Sequence, residues 1–197
     1  MMPTRPLRGA LVAFAVLGVA CGEPTLAKAT YASGLSTTTL YALTGASATV
    51  PTAFSFLSGP THATATFAFD VAFDLDASNR PVVMPVRVLG GTLAGTLKRV
   101  GLLLVSGSFE SVLEVPATGY DTLNAKTLVP GAVLAVELQD ATACYSSYNL
   151  NVLTSQFIYA KLVVDSVDAS TRRIFMRTVV DPNCGYVGVV PDSVPRH

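Results

Sequence analysis

Residues 64–89 read TATFAFDVAFDLDASNRPVVMPVRVL, and this stretch decides the fold predicted for the chain. Its first half alternates without a break, and the apolar set is Phe67, Phe69, Val71, Phe73 and Leu75. Successive side chains leave opposite faces of a β-strand, so a period of two predicts a strand with this set facing the core. Asp70 and Asp74 fall on the opposite face, where we expect solvent.

The polar residues 76–80 separate this strand from a second alternating run, formed by Val82, Met84, Val86 and Val88. Two such runs around a short polar break predict a β-hairpin with a loop of about four residues. If Leu75 faces Val82, Phe73 meets Met84 and Asp70 lies beside Arg87 on the solvent face. Both faces of the hairpin are then chemically consistent.

Similar strand patterns recur along the chain at a spacing of roughly ten residues. They cover residues 37–43, 53–57, 97–105, 109–115, 133–139, 157–167 and 173–180. In residues 133–139 we expect Glu137 to face outward, and no segment of the mature chain, after residue 20, has a convincing helical period. This organisation predicts an all-β fold, an antiparallel β-sandwich of about ten strands, with a closed β-barrel as the alternative.

Composition narrows the class of protein. The 197 residues suit one domain, only 13% are charged, the formal net charge is zero and tryptophan is absent. Valine, threonine, alanine, serine and glycine dominate, as is typical of β-proteins. Because the sequence has no basic stripe, we expect no nucleic-acid partner.

The N-terminus has the pattern of a secretory signal peptide over residues 1–20. Arg5 and Arg8 form a short positive region, and the apolar run of residues 10–20 is too short to span a bilayer. Removal of this segment leaves a slightly acidic mature chain.

The signal peptide ends in Leu17-Gly18-Val19-Ala20-Cys21-Gly22, which resembles the lipobox of bacterial lipoproteins. In that family a small residue precedes a cysteine that becomes lipidated and N-terminal. The family usually carries leucine three residues before the cysteine, whereas this chain has Gly18 there and Leu17 one place earlier. The resemblance implies a lipid on Cys21 that holds the protein on a membrane of the bacterial cell envelope, at the periplasmic or outer-membrane face. Ordinary signal-peptide cleavage would instead leave Cys21 as a plain thiol.

This interpretation divides the chain into a signal peptide (residues 1–20), a lipid-anchored tether (21–36) and a single all-β domain (37–197). It also predicts a disulfide. Export places the cysteines in an oxidising compartment, and if Cys21 carries the lipid, only Cys144 and Cys184 remain to pair. The alternative is two buried, unpaired thiols.

We predict no catalytic residue, metal ligand or cofactor. Residues 74–79 place oxygen ligands at alternate positions, as calcium loops do, but Asn79 stands where such a loop needs glycine and Pro85 where it needs glutamate. The only histidines are His62 and His197, too few for a zinc site or a catalytic triad. The carboxylates expected on polar strand faces favour solubility over acid–base chemistry; they are Asp70, Asp74, Glu110 and Glu114. Three tyrosines could contribute to a binding surface or to ordinary packing, namely Tyr145, Tyr148 and Tyr159.

From the sequence we therefore expect a non-catalytic, lipid-anchored envelope protein, not an enzyme, that acts as a binding or structural module. Its protein or small-ligand partner is not identified by the sequence. The alternative is a barrel-type carrier of a small apolar ligand. A pocket lined by Phe67, Phe69 and Phe73 would favour the carrier, whereas solid packing of these rings would favour the module.

Overall fold

The computed structural model describes residues 28–140, Cys144 and residues 156–196. The described chain forms two antiparallel sheets of five strands each, which pack as an open β-sandwich. The predicted all-β sandwich is confirmed, and the sheets do not close into the alternative barrel.

Ten strands are present in the described residues: β1 (Gly34–Tyr41), β2 (Ala53–Ser55), β3 (Gly59–Thr61), β4 (Val71–Leu75), β5 (Pro81–Pro85), β6 (Val100–Val105), β7 (Lys126–Thr127), β8 (Val133–Gln139), β9 (Phe157–Asp168) and β10 (Arg173–Asp181). Sheet A has the order β1-β10-β9-β8-β6, and sheet B has the order β3-β2-β4-β5-β7. A short helix, α1 (Val86–Leu89), and a 3-10 helix (Gly91–Thr96) connect β5 to β6. The strands predicted at residues 133–139, 157–167 and 173–180 are present as β8, β9 and β10.

The hairpin of residues 64–89 also forms, but with a register one residue away from the prediction. Phe73 is paired with Val83, not with Met84, and Leu75 is paired with Pro81. The loop between the paired residues is one residue shorter than the predicted register implies, and Asp76 closes it by accepting the N–H groups of Ser78 and Arg80 at 2.8 Å each. The second run ends at Pro85, after which the chain enters α1, so Val86 and Val88 do not extend the strand.

Asp70 is the main correction to the predicted hairpin. Residues 64–70 are not a strand, and the left-handed backbone of Phe67, with φ of 52°, interrupts the alternation. Asp70 has no exposed surface. Its carboxylate accepts the N–H of Phe56 at 2.7 Å and forms an ion pair with Lys98. The polar face of β4 is therefore covered, as the complete burial of Ala72 on the same face also shows.

The main core lies between the two sheets and is filled with large apolar side chains. Sheet B contributes Phe54 and Phe73, and sheet A contributes Leu134, Leu162 and Met176. Phe69 and Phe73 are among the largest fully buried side chains, and Phe67 packs against the same core from a half-buried position. These rings belong to a close-packed interior.

A second core covers the other face of sheet A. There the strand predicted at residues 109–115 does not form, because the segment makes turns that start at Ser108 and pairs only at Glu114 with Gly188. The apolar side chains of this segment pack on the outer side of β8, β9 and β10; they are Phe109, Val112 and Val115. As a result β8 is buried on both faces, and Glu137 is only 4% exposed instead of facing solvent. Its partner there is Arg99, at 3.2 Å, and burial raises the pKa of the Glu137 carboxyl.

Lys161 of β9 fixes this covering segment to the sheet. Its ammonium group donates to the backbone C=O groups of Phe109 at 2.6 Å and Val112 at 2.7 Å, and lies 4.6 Å from the centre of the Phe109 ring. The side chain is 1% exposed, and burial lowers the pKa of Lys161. Both carbonyls would otherwise be buried without a hydrogen-bond donor. Lys161 therefore satisfies the hydrogen bonding of the covering segment and also holds that segment on the sheet.

The structure predicts similar costs for two neighbouring substitutions that the alternating pattern placed on opposite faces. Phe69→Ala should destabilise the domain by about 3–5 kcal/mol through loss of a buried ring. Asp70→Ala should cost roughly 2–4 kcal/mol, because it leaves the buried N–H of Phe56 without an acceptor and Lys98 without its partner. Denaturant unfolding measures both, with the exposed turn variant Ser78→Ala as the control that stays within about 0.5 kcal/mol of the native chain. If the free energy of unfolding of Asp70→Ala were close to that of the native chain, Asp70 would have to be assigned to the solvent face.

Candidate functional site

The structure joins Cys144 to Cys184, with their Cα atoms 5.7 Å apart, in the pairing expected from the sequence. Cys184 lies in the turn that follows β10, and both cysteines are buried. Cys21 lies outside the described residues, as do Tyr145 and Tyr148. The bond therefore connects the C-terminal turn to the segment that follows β8.

The turn that carries Cys184, residues 181–186, also holds the N-terminal segment of the domain; we call it the anchor turn. Asn183 accepts the N–H groups of Thr30 at 2.9 Å and Tyr31 at 3.1 Å, and its amide donates to the C=O of Tyr31 at 2.7 Å. The N–H of Ala29 donates to the hydroxyl of Tyr186 at 3.2 Å. A single asparagine side chain thus replaces a neighbouring strand for two successive residues.

This docking changes the predicted division of the chain. Ala29 and Ser33 are buried, Ser33 exchanges backbone hydrogen bonds with the C-terminal segment, and β1 begins at Gly34. Residues 28–36 of the expected tether therefore lie on the domain. A tether can extend no further along the chain than residue 27.

Asp181 is the first residue of the anchor turn and stabilises it. One carboxylate oxygen accepts the backbone N–H of Asn183 at 2.9 Å and its side-chain amide at 2.6 Å, which fixes the orientation of the amide. The other oxygen is buried without a hydrogen-bond partner. Burial raises the pKa of Asp181 to about 6, against the lowering effect of the hydrogen bonds from Asn183.

The outer edge of β1, on the side away from β10, is a second candidate site. The backbone hydrogen bonds of β1 show which of its residues face this edge. The N–H of Ser33 donates to the C=O of Ser193 at 2.9 Å, and the N–H of Tyr41 donates to the C=O of Pro51 at 2.9 Å. Both residues therefore direct their backbone groups away from β10. Because these groups alternate in direction along a strand, every second residue between them also points outward.

Between these two closed ends, the residues whose backbone groups point outward are Leu35, Thr37 and Thr39. Their outward N–H and C=O groups have no hydrogen-bond partner among the described residues. Residues 34–37 are all exposed, and Leu35 exposes 48% of its surface. We call this gap, residues 35–39, the β1 slot.

The residues singled out from the sequence for possible chemistry are dispersed over the fold. Asp74 pairs with Arg172 at 2.9 Å, Glu110 pairs with Arg177 at 2.8 Å, and Asp70 lies in the core. The ring of Tyr159 packs in the second core. Within residues 28–140, 144 and 156–196, no group of three or more histidine, cysteine, aspartate or glutamate side chains is placed to hold a metal ion.

His62 lies in a loop and is exposed. Among the described residues it forms no hydrogen bond or ion pair with any of these groups, and His197 lies outside the described residues. In the described part of the chain, no helix has both the length and the apolar character needed to cross a membrane.

Comparison of the chain with protein-family models, with curated proteins and with solved structures gives no match.

The disulfide is testable in exported protein. In protein that has been exported to an oxidising compartment, mass spectrometry of non-reduced, alkylated digests should give a linked peptide pair containing Cys144 and Cys184. Loss of the bond should destabilise the fold by roughly 4 kcal/mol in the chain-entropy description, and the Cys144→Ala, Cys184→Ala double variant measures this cost. Two freely alkylated thiols in exported material would contradict the pairing.

Asp181 predicts a specific dependence of stability on pH. The folded-state pKa of about 6 is above the ordinary value of 3.8, so the folded state binds the proton more tightly than the unfolded state. The contribution of Asp181 to the free energy of unfolding is therefore largest below about pH 4 and falls as pH rises to about 6, by up to about 3 kcal/mol. Asp181→Asn should remove this fall and make the domain more stable than the native chain at pH 7.

Denaturant unfolding at pH 4.5 and pH 7 measures the effect. Asp168 provides a control of opposite sign, because bonds from Ser170, Thr171 and Arg173 hold the pKa of its carboxyl well below the usual range. Asp168→Asn should therefore lose stability at neutral pH. An unchanged pH profile in Asp181→Asn would show that the unpaired oxygen is not a source of instability.

Proposed function

We infer that this protein is a non-catalytic binding or structural module, held on the bacterial cell envelope by a lipid on Cys21. The observation that carries the proposal is the docking of residues 29–31 onto the anchor turn. It places the start of the folded domain close in sequence to the lipobox-like segment, with only residues 22–27 between Cys21 and Lys28. An extended chain of this length reaches about 25 Å at most, so the domain would stay next to the membrane surface.

The filled sandwich supports a module in preference to a carrier. A carrier of a small apolar ligand needs an unfilled interior, and the rings that would line it, Phe69 and Phe73, are fully buried in the main core. The open sheets leave strand edges available as binding elements.

The polar groups of the described residues support a role without catalysis, because the buried ones serve the fold. Lys161 satisfies the carbonyls of the second core, Asp70 caps a backbone N–H, and Asp181 orients Asn183. A catalytic centre would instead bring such groups together in one cleft.

Metabolic labelling with an alkyne fatty acid tests the anchor. The native chain should be labelled and should sediment with membranes, because several acyl chains at one residue give a lasting attachment. Cys21→Ala should be unlabelled and should be recovered in the soluble fraction. The Cys144→Ala, Cys184→Ala variant is the matched control, since it keeps Cys21 and should stay labelled. Equal labelling of the native chain and Cys21→Ala would refute lipidation at this residue.

A further inference from the structure

The four outer edges of the two sheets differ in how they are protected against pairing with another chain. In sheet B, β3 has three residues, one of them Pro60, and β7 has only two, one of them Lys126. In sheet A, the β6 edge is closed at Leu102, which exchanges two backbone bonds with Asp121 at 2.9 and 3.1 Å. Short strands, proline, lysine and covering loops are the usual means by which proteins protect sheet edges.

The fourth edge, β1, has none of these protections between its two covered ends, within the described residues. Its eight residues, GLSTTTLY, contain no charge and no proline, and its register with β10 has no bulge. Threonine is a strong strand former, so the edge is also well ordered for pairing. Three successive outward residues thus offer six unused backbone hydrogen-bonding groups over a length of about 17 Å.

The ends of the β1 slot decide what can occupy it. At Ser33 the neighbouring position is taken by Ser193, and at Tyr41 it is taken by Pro51. In antiparallel self-pairing centred on Thr37, Tyr41 of a second copy would lie opposite Ser33. Each copy carries its own closing segments at these points, so two copies cannot approach to the inter-strand distance of about 4.8 Å. The slot therefore excludes a second β1 and admits a short extended segment that bends away at both ends.

Side chains around the slot indicate the chemistry of that segment. Those of Ser36 and Thr38 alternate with the side chains of the outward residues, and the hydroxyl of Ser36 is already bonded to Thr178 at 2.7 Å. The charge nearest in the register is Arg177, the partner of Thr37 in β10, and it is neutralised by Asp165 and Glu110. Cross-strand pairs with threonine and leucine favour β-branched, uncharged residues.

We propose that the β1 slot is a peptide-binding site, which takes an uncharged, β-branched extended segment of another protein as an added antiparallel strand of sheet A. Backbone bonds give the affinity, and the closed ends set the length. This proposal rests on the binding role inferred above and names the class of partner for it. The site itself depends only on the geometry of sheet A. Absence of lipid on Cys21 would leave it unaffected, and absence of peptide binding would leave the lipid anchor unaffected.

The test uses the mature chain and a short soluble peptide whose centre alternates threonine and valine over the length of the slot. At saturating peptide, the amides of Leu35, Thr37 and Thr39 should become at least about tenfold slower in hydrogen exchange, measured by NMR, because each gains an acceptor. The same peptide methylated on alternate backbone nitrogens, which cannot donate to the slot, should bind at least about tenfold more weakly.

Two variants complete the test. Thr37→Pro removes an outward N–H without removing a bond to β10, and should weaken peptide binding by at least about tenfold. Thr37→Val is the matched control, since it keeps both backbone groups and the β-branched shape, and should bind as the native chain does.

If Thr37→Pro fails to fold, the methylated peptide alone decides the question. Unprotected slot amides at saturation, or equal binding of the methylated peptide, would overturn the proposal. A concentration-dependent dimer that Thr37→Pro abolishes would assign the edge to a second copy instead.

Discussion

Burial of β8 and β9 on both faces is the constraint on which the rest of this structure depends. A sandwich needs only one buried face for each sheet, but sheet A is also covered on its outer side by the second core. Polar side chains in its central strands must then find partners inside the protein, since an unpaired buried group is costly. Lys161 meets this requirement by donating to two carbonyls, and Glu137 by pairing with Arg99.

Period-two patterns predicted the positions of strands well, but they predicted poorly which strand faces are exposed to solvent. They placed β8 and the β9–β10 hairpin, because alternation and β-branched residues report local backbone geometry. The same patterns put Asp70 and Glu137 in solvent, since alternation says that two side chains lie on opposite faces but not what covers the second one. The missed covering segment itself alternates around Phe109, yet it forms turns, because it packs across strands and pairs with them only at one point.

The candidate sites divide in the same way. Counting cysteines led to the pairing of Cys144 with Cys184, since the expectation of an exported chain with a lipid on Cys21 leaves these two cysteines to pair. The anchor turn and the β1 slot depend on contacts between distant parts of the chain, such as Asn183 with Tyr31 and Ser33 with Ser193. The only local signal was the Asp181-Pro182-Asn183-Cys184-Gly185 turn, whose Asx residues are suited to bonding backbone N–H groups.

The docked N-terminal segment has a mechanical consequence. Tension applied at Lys28 reaches first the bonds that Asn183 and Tyr186 make to residues 29–31. These bonds join one short stretch of chain to one turn, and that turn directly follows β10. The anchor turn is also cross-linked to Cys144 through Cys184, so part of its attachment is covalent. Residues 29–31 precede β1 in the chain, so their bonds to the anchor turn must break before tension at Lys28 can peel β1 from the edge of sheet A.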